Sequence, residues 1–314
     1  MNLSNLRQFQ LSLALALVLV LPATPTAAGP EVRVDRNIAY GMYSGLALVM
    51  DVYSPSEPNG YGIIFISGSG WTRELSLDAT PLTRTGQEEI YAIPLAQAGY
   101  TVFNINHRAA PRFRYPAPLE DAQRAARFIR HHAAGFGIDA GRIGAMGGSS
   151  GAHLAAMLGV MEGDGDPDDP SPVNRESARV QAVVTRAAPM DLRGDPDAPL
   201  FGFRSNAAQE GSVELRLMSE ASPITYVSPD DPPFLLIHGD ADPVVPFDRS
   251  VQMQATLEAA GVDAVLIRIP GGGHGPRFEV NEVVDGENVR RVPENVPDYI
   301  GAMIDWFDKH LTAK

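Results

Sequence analysis

Ser149 lies at the centre of Gly147-Gly148-Ser149-Ser150-Gly151, a G-x-S-x-G pentapeptide. A serine hydroxyl is a weak nucleophile. It needs a base to take its proton and an acid to orient that base. The apolar run ending at Met146 leads into the pentapeptide, and Ala152–Leu158 follows it with helical composition. A chain that reverses sharply from strand to helix holds its central serine in a strained conformation, and side chains at Gly147 and Gly151 would collide with neighbouring backbone. The helix that starts there offers free amides to a developing negative charge. Ser149 is therefore the expected nucleophile.

Downstream, Phe234–His238 is an apolar strand that delivers Asp240 and Asp242 to the loop at its C-terminal end. Ligands of open α/β sheets bind at that end. Asp242 is the expected acid, and Asp240 is expected to hold the turn. After the next strand, Pro270-Gly271-Gly272-Gly273-His274-Gly275 carries a histidine on a glycine-rich loop. Of the seven histidines, only His274 has both the position and the context of a general base. His131, His132 and His310 end helices. His153 and His238 flank the site as packing or supporting groups, and His107 follows a buried strand. The order Ser149, Asp242, His274 along the chain is the α/β-hydrolase order, unlike the two main protease orders.

These loops need elements to position them. Val32–Val34 and Ala47–Tyr53 alternate apolar and polar residues, as antiparallel edge strands do. Ile63–Ser67 is a continuous apolar run, the signature of a strand buried on both faces. Further strands are expected at Thr101–Ile105, Arg142–Met146, Val180–Thr185, Phe234–His238 and Val265–Ile269. Helices are expected at Gln87–Ala98, Leu119–Gly135, Ala152–Leu158, Asp248–Ala260 and Asp298–Leu311. This alternation predicts a mostly parallel central sheet flanked by helices. Residues 29–314 read as one domain with a small cap between Pro189 and Asp230, which holds no long, strongly apolar lid. Pro276–Asn295 reads as polar and irregular.

Composition narrows the function classes. The 314 residues are 44% hydrophobic, enough for a sizeable core. A net charge of −13 gives no electrostatic footprint for holding phosphate backbones, so no nucleic-acid partner is expected. The absence of cysteine excludes disulfides, Cys-ligated zinc, iron–sulfur clusters and a thiol nucleophile. Residues 1–28 have the parts of a signal peptide: Arg7, the apolar run Leu11–Leu21, Pro22, then small residues to Ala27-Ala28. That run is too short for a bilayer that needs roughly 20 residues. The expected mature protein is exported, periplasmic or secreted, with no stable membrane insertion. Glu162–Pro170 begins like a calcium loop, but Asp169 stands where that loop needs glycine and Arg175 where it needs glutamate. It reads as a solvated acidic loop, and no metal site is expected.

Several further segments carry a resemblance. Asn106-His107-Arg108-Ala109-Ala110-Pro111, Tyr115-Pro116-Ala117-Pro118-Leu119-Glu120-Asp121-Ala122, Gly137–Ile143 and Ala221-Ser222-Pro223-Ile224 resemble segments of bacterial carboxylesterases. The branch is that of acetyl and feruloyl esterases related to hormone-sensitive lipase, and the likeness runs from about Ile63 to His274. It implies an α/β-hydrolase fold and a Ser149–His274–Asp242 triad. It also implies an oxyanion hole built from amides of Gly68, Ser69 and Ser150, with no metal or organic cofactor. The branch usually carries His-Gly-Gly-Gly where this chain has Ser67-Gly68-Ser69-Gly70, and Trp71 is read as a wall of the pocket. The implied substrates are short-chain acyl esters, including acetyl or feruloyl groups on polysaccharide. An amidase, formamidase or peptidase of the same fold remains an alternative, as does a non-catalytic binding protein.

Overall fold

The computed structural model describes residues 29–194, 199–203, 209–284 and 286–312. The leader read at 1–28 lies outside the described residues. Two strands open the chain, β1 (Val32–Tyr43) and β2 (Leu46–Pro55), followed by β3 (Gly62–Ile66). Two short helices, α1 (Gln87–Ile90) and α2 (Ala92–Gln97), precede β4 (Thr101–Ile105). Next come α3 (Ala117–His131), α4 (Ala133–Phe136), β5 (Ile143–Gly148), α5 (Ser150–Val160) and β6 (Ala182–Arg186). α6 (Val213–Glu220) lies between β6 and β7. The chain then runs through β7 (Phe234–Gly239), α7 (Asp248–Ala259), β8 (Ala264–Ile269), β9 (Val280–Val284), β10 (Glu287–Arg291) and α8 (Tyr299–Leu311).

Eight strands form one sheet in the order β1-β2-β4-β3-β5-β6-β7-β8. β2 runs antiparallel to both of its neighbours, and from β4 to β8 every pairing is parallel. Side chains leave a strand on alternate faces, so β3 divides its residues between two cores. Ile64 and Ile66 join the core under α3 and α5, whereas Ile63 and Phe65 join the one under α2 and α8. α8 covers its face with Met303, Trp306, Phe307 and Leu311, the spacing of one helical stripe. α5 has no polar face: every residue in it is buried, as expected of a helix enclosed by the sheet and its neighbours. Helices on both faces leave the loops at the C-terminal strand ends as the place for a site.

Three departures from the sequence reading have physical causes. β1 extends to Tyr43 rather than ending at Val34, with register shifts that let it follow β2 over its length. The helix expected over Gln87–Ala98 is broken at Tyr91. Pro94 has no N–H to give the carbonyl four residues earlier, so the first turn cannot continue. The segment 276–295 is not irregular, because β9 and β10 pair antiparallel within it. In the acidic loop, Asp166 and Asp169 accept the amides of Asp168 and Ser171 and so cap local turns. Among the described residues, no helix is long and apolar enough to cross a membrane.

Candidate active site

The turn from β5 into α5 puts Ser149 at φ 52° and ψ −123°. Left-handed backbone at a non-glycine residue costs of order 1–3 kcal/mol and persists only where the surroundings enforce it. Here they do. A Cβ on Gly147 would lie 2.4 Å from the backbone of Gly151, and one on Gly151 would lie 2.0 Å from the Ile66 carbonyl oxygen. β5, α5 and β3 can approach this closely only with glycine at both positions.

His274 reaches the serine from the loop after β8. Its Nε2 lies 2.9 Å from Ser149 Oγ and its Nδ1 lies 2.7 Å from Asp242 Oδ2. The Asp242 side chain is fully buried, and its Oδ1 accepts the amides of Val244 and Val245. His238 approaches Asp242 Oδ2 at 3.3 Å while its other ring nitrogen meets Ser250 Oγ. Burial alone would raise the Asp242 carboxyl, but hydrogen bonds from His238 and His274 overcome it and hold the group well below its ordinary 3.8. The carboxylate is thus kept ionised beside the imidazole. Asp240 has the turn-holding place expected of it, accepting from Arg268 Nε and the Gly271 amide.

The Gly68 and Ser69 amides, which the resemblance assigns to an oxyanion hole, both have partners in this structure. The Gly68 N–H donates to Gln87 Oε1 at 3.0 Å, and the Ser69 N–H donates to Ser150 Oγ at 2.9 Å. Gln87 also donates from Nε2 to the Gly68 carbonyl, so one side chain pairs both polar groups of one residue. Among the described residues, the Ser150 amide at the first turn of α5 has no acceptor, as helix N-termini leave it. Gln87 was missed in the sequence, where nothing distinguishes it from other polar residues opening a helix.

Trp71 is not a pocket wall. It is 5% exposed within the α5-side core, and its Nε1 donates to His153 Nδ1 at 3.2 Å. His153 Nε2 lies 2.6 Å from the Ala221 carbonyl, so this imidazole is neutral with its proton on Nε2. Burial pushes it down to about 4. His107 lines a separate cavity beside Arg73 and Phe113.

Ser149 and His274 open onto a cavity of about 760 Å³ whose walls include Gly68, Gln87, Arg186 and Asn281. Asn281 belongs to the unforeseen β9–β10 hairpin, so that hairpin borders the site. Tyr91, at the break between α1 and α2, donates its hydroxyl to the Pro276 carbonyl just beyond His274.

The strand order, the crossovers and the serine at the β5–α5 turn define an α/β-hydrolase. More narrowly, the chain belongs to the BD-FAE family, whose profile matches residues 50–257. It is 31% identical to esterase LipQ of Mycobacterium tuberculosis over 218 residues, 67% of this chain and 49% of that protein. An acetylxylan esterase of Xylanibacter ruminicola is 25% identical, matched over 73% of this chain and 44% of that protein. The chain spans about half the length of the curated relatives it matches. Among solved structures, a truncated carbohydrate esterase from gut microbiota superposes with a TM-score of 0.69 at 29% identity. It covers 91% of this chain and 100% of that one.

Proposed function

We propose that this protein is a serine carboxylesterase that hydrolyses short-chain acyl esters, among them acetyl or feruloyl groups on polysaccharide. The observation that carries the reading is the unbroken relay from Ser149 Oγ through His274 to the buried Asp242. Ser149 attacks the ester carbonyl as His274 Nε2 takes its proton, and Asp242 keeps the Nδ1–H tautomer that leaves Nε2 free. The oxyanion accepts from the Ser150 amide. The substrate carbonyl competes with Gln87 Oε1 and Ser150 Oγ for the Gly68 and Ser69 amides. His274 then protonates the departing alcohol, and water, activated by the same imidazole, releases the acid. No step calls for a metal or organic cofactor.

The polysaccharide part of the reading is supported by the carbohydrate and acetylxylan esterases among the similar proteins. Export through residues 1–28 would bring the enzyme to such a substrate. The test is hydrolysis of p-nitrophenyl acetate, butyrate and octanoate by residues 29–314, with Ser149→Ala alongside. Rates should fall with acyl length and drop on the order of 10⁵-fold in the variant. A Ser149→Ala protein that keeps most of its activity would refute the assignment.

A further inference from the structure

Arg186 ends β6 at the rim of the Ser149 cavity. It is 2% exposed and, among the described residues, no carboxylate pairs with it. Its Nη1 is occupied, donating to the carbonyls of His274 at 2.9 Å and Gly275 at 3.1 Å. Its ring-facing neighbour is Phe278, 5.8 Å from the guanidinium carbon. The opposite edge makes no hydrogen bond among the described residues, and its Nε is buried. A buried cation without a counter-ion is costly, and two carbonyls and one aromatic face compensate it only in part.

That edge is the Nε/Nη2 fork, the geometry with which a guanidinium takes a carboxylate through two parallel bonds. It faces the residue preceding the nucleophile. A Cβ placed on Gly148 would lie 3.2 Å from both Nε and Nη2, and 3.1 Å from Gln87 Oε1. Because position 148 is glycine, no side chain from that turn covers the fork, and Arg186 is part of the wall of the cavity that holds Ser149. Glu279, an acid of that wall, accepts the Arg277 amide at Oε2 and makes no ion pair with Arg186. With a net charge of −13, the protein as a whole repels anions, so any preference for one must arise locally.

We propose that the Nε/Nη2 edge of Arg186 is a carboxylate-recognising subsite of this cavity, and that the preferred ester carries a carboxylate. The proposal rests on the esterase reading and specifies its substrate class. It also gives Arg186 two edges with two tasks. One braces the loop that holds His274, and the other reads the substrate.

Two matched pairs of esters test it. p-Nitrophenyl hemisuccinate against p-nitrophenyl butyrate places the carboxylate on the acyl side. p-Acetoxybenzoate against phenyl acetate places it on the alcohol side. In one pair kcat/KM should favour the anionic member by about ten- to hundredfold, the range of a charge-assisted contact. Arg186→Gln should collapse that ratio, and Arg186→Lys should keep part of it. Loss of activity on both members by the same factor would make Arg186 only a brace for His274, and a wild-type enzyme that favours the neutral member of both pairs would overturn the proposal outright. Should the variants not fold, competitive inhibition of the wild type by benzoate but not by benzamide carries the same information. Failure of the esterase reading is seen separately. In Ser149→Ala, benzoate should still raise Tm, and it should do so only while Arg186 is present.

Discussion

The two sides of Ser149 are built on opposite plans. On the acid–base side, both oxygens of Asp242 accept hydrogen bonds, and the chain of contacts ends on the nucleophile. Nothing there has to move before reaction. On the oxyanion side, the loop after β3 has its amides already paired, with Gln87 and with Ser150 Oγ. Substrate must exchange partners to use them. Preorganisation is therefore concentrated where a proton must be moved along one line. The other side keeps its polar groups satisfied in the resting state, as buried amides require, and gives them up only to a better acceptor. Perturbing the first side should cost far more than perturbing the second.

The largest expected difference comes from Asp242→Asn. The Asn oxygen would remain on the amides of Val244 and Val245, turning the NH₂ group toward His274. The imidazole would then accept at Nδ1 and carry its proton on Nε2, the tautomer that cannot receive a proton from Ser149. We expect kcat to fall about 10⁴-fold with little change in KM. Steady-state kinetics on p-nitrophenyl acetate decide it. A loss under tenfold would mean that the Asp242 carboxylate is not what orients the base.

How far this contrast could be read from the sequence depends on the range of the interactions. The strand–turn–helix around Ser149 is local: glycine spacing, an apolar run and a helix start fall within a few residues. Asp242 and His274 each follow an apolar strand directly, so the parallel order of β5, β7 and β8 brings them together. The β9–β10 hairpin was legible in principle, since Asp285-Gly286 is a favoured hairpin dipeptide between two strands of mixed polarity. The break at Tyr91 also had its signal in Pro94. Gln87, Arg186 and the Trp71–His153 contact had none. Each depends on a side chain reaching an element distant in sequence, and nothing in their neighbours' polarity or period announces it.

The contrast also predicts two separate acid limits for stability. His153, which ties Trp71 beside the oxyanion loop to α5, is held neutral by burial, and His107 is shifted the same way for the same reason. The unfolded chain takes up a proton near 6.5 that folded His153 refuses until about 4. Stability should therefore fall as pH drops through that window, by about 3 kcal/mol for His153 at most. Asp242 acts with the same sign in a lower window. Its carboxyl is depressed when folded, so its contribution is intact above 3.8 and is lost only at lower pH. Urea midpoints measured from pH 7 to pH 4 should slope downward, and His153→Asn should flatten that slope whatever its effect at pH 7. An unchanged slope in the variant would assign the acid limit elsewhere.

The smallest expected effect is the one that probes the oxyanion side directly. Gln87→Ala frees the Gly68 amide, and on a simple count of available donors it should help catalysis. Against this, Gln87 fixes both polar groups of Gly68 at 3.0 Å and is itself held by Thr85. Without it, the loop loses the contact that sets the direction of its amides, and a donor displaced by an ångström stabilises an oxyanion poorly. We expect the second effect to win, with kcat about tenfold lower and KM nearly unchanged, because the Ser150 amide and the whole relay through His274 survive. Gln87→Met fills the same space without the hydrogen bonds and should behave like the alanine variant. Should kcat instead rise in both, Gln87 would be an obstruction that substrate must clear, and the resting pairing of the Gly68 amide would be a restraint on the enzyme rather than its support.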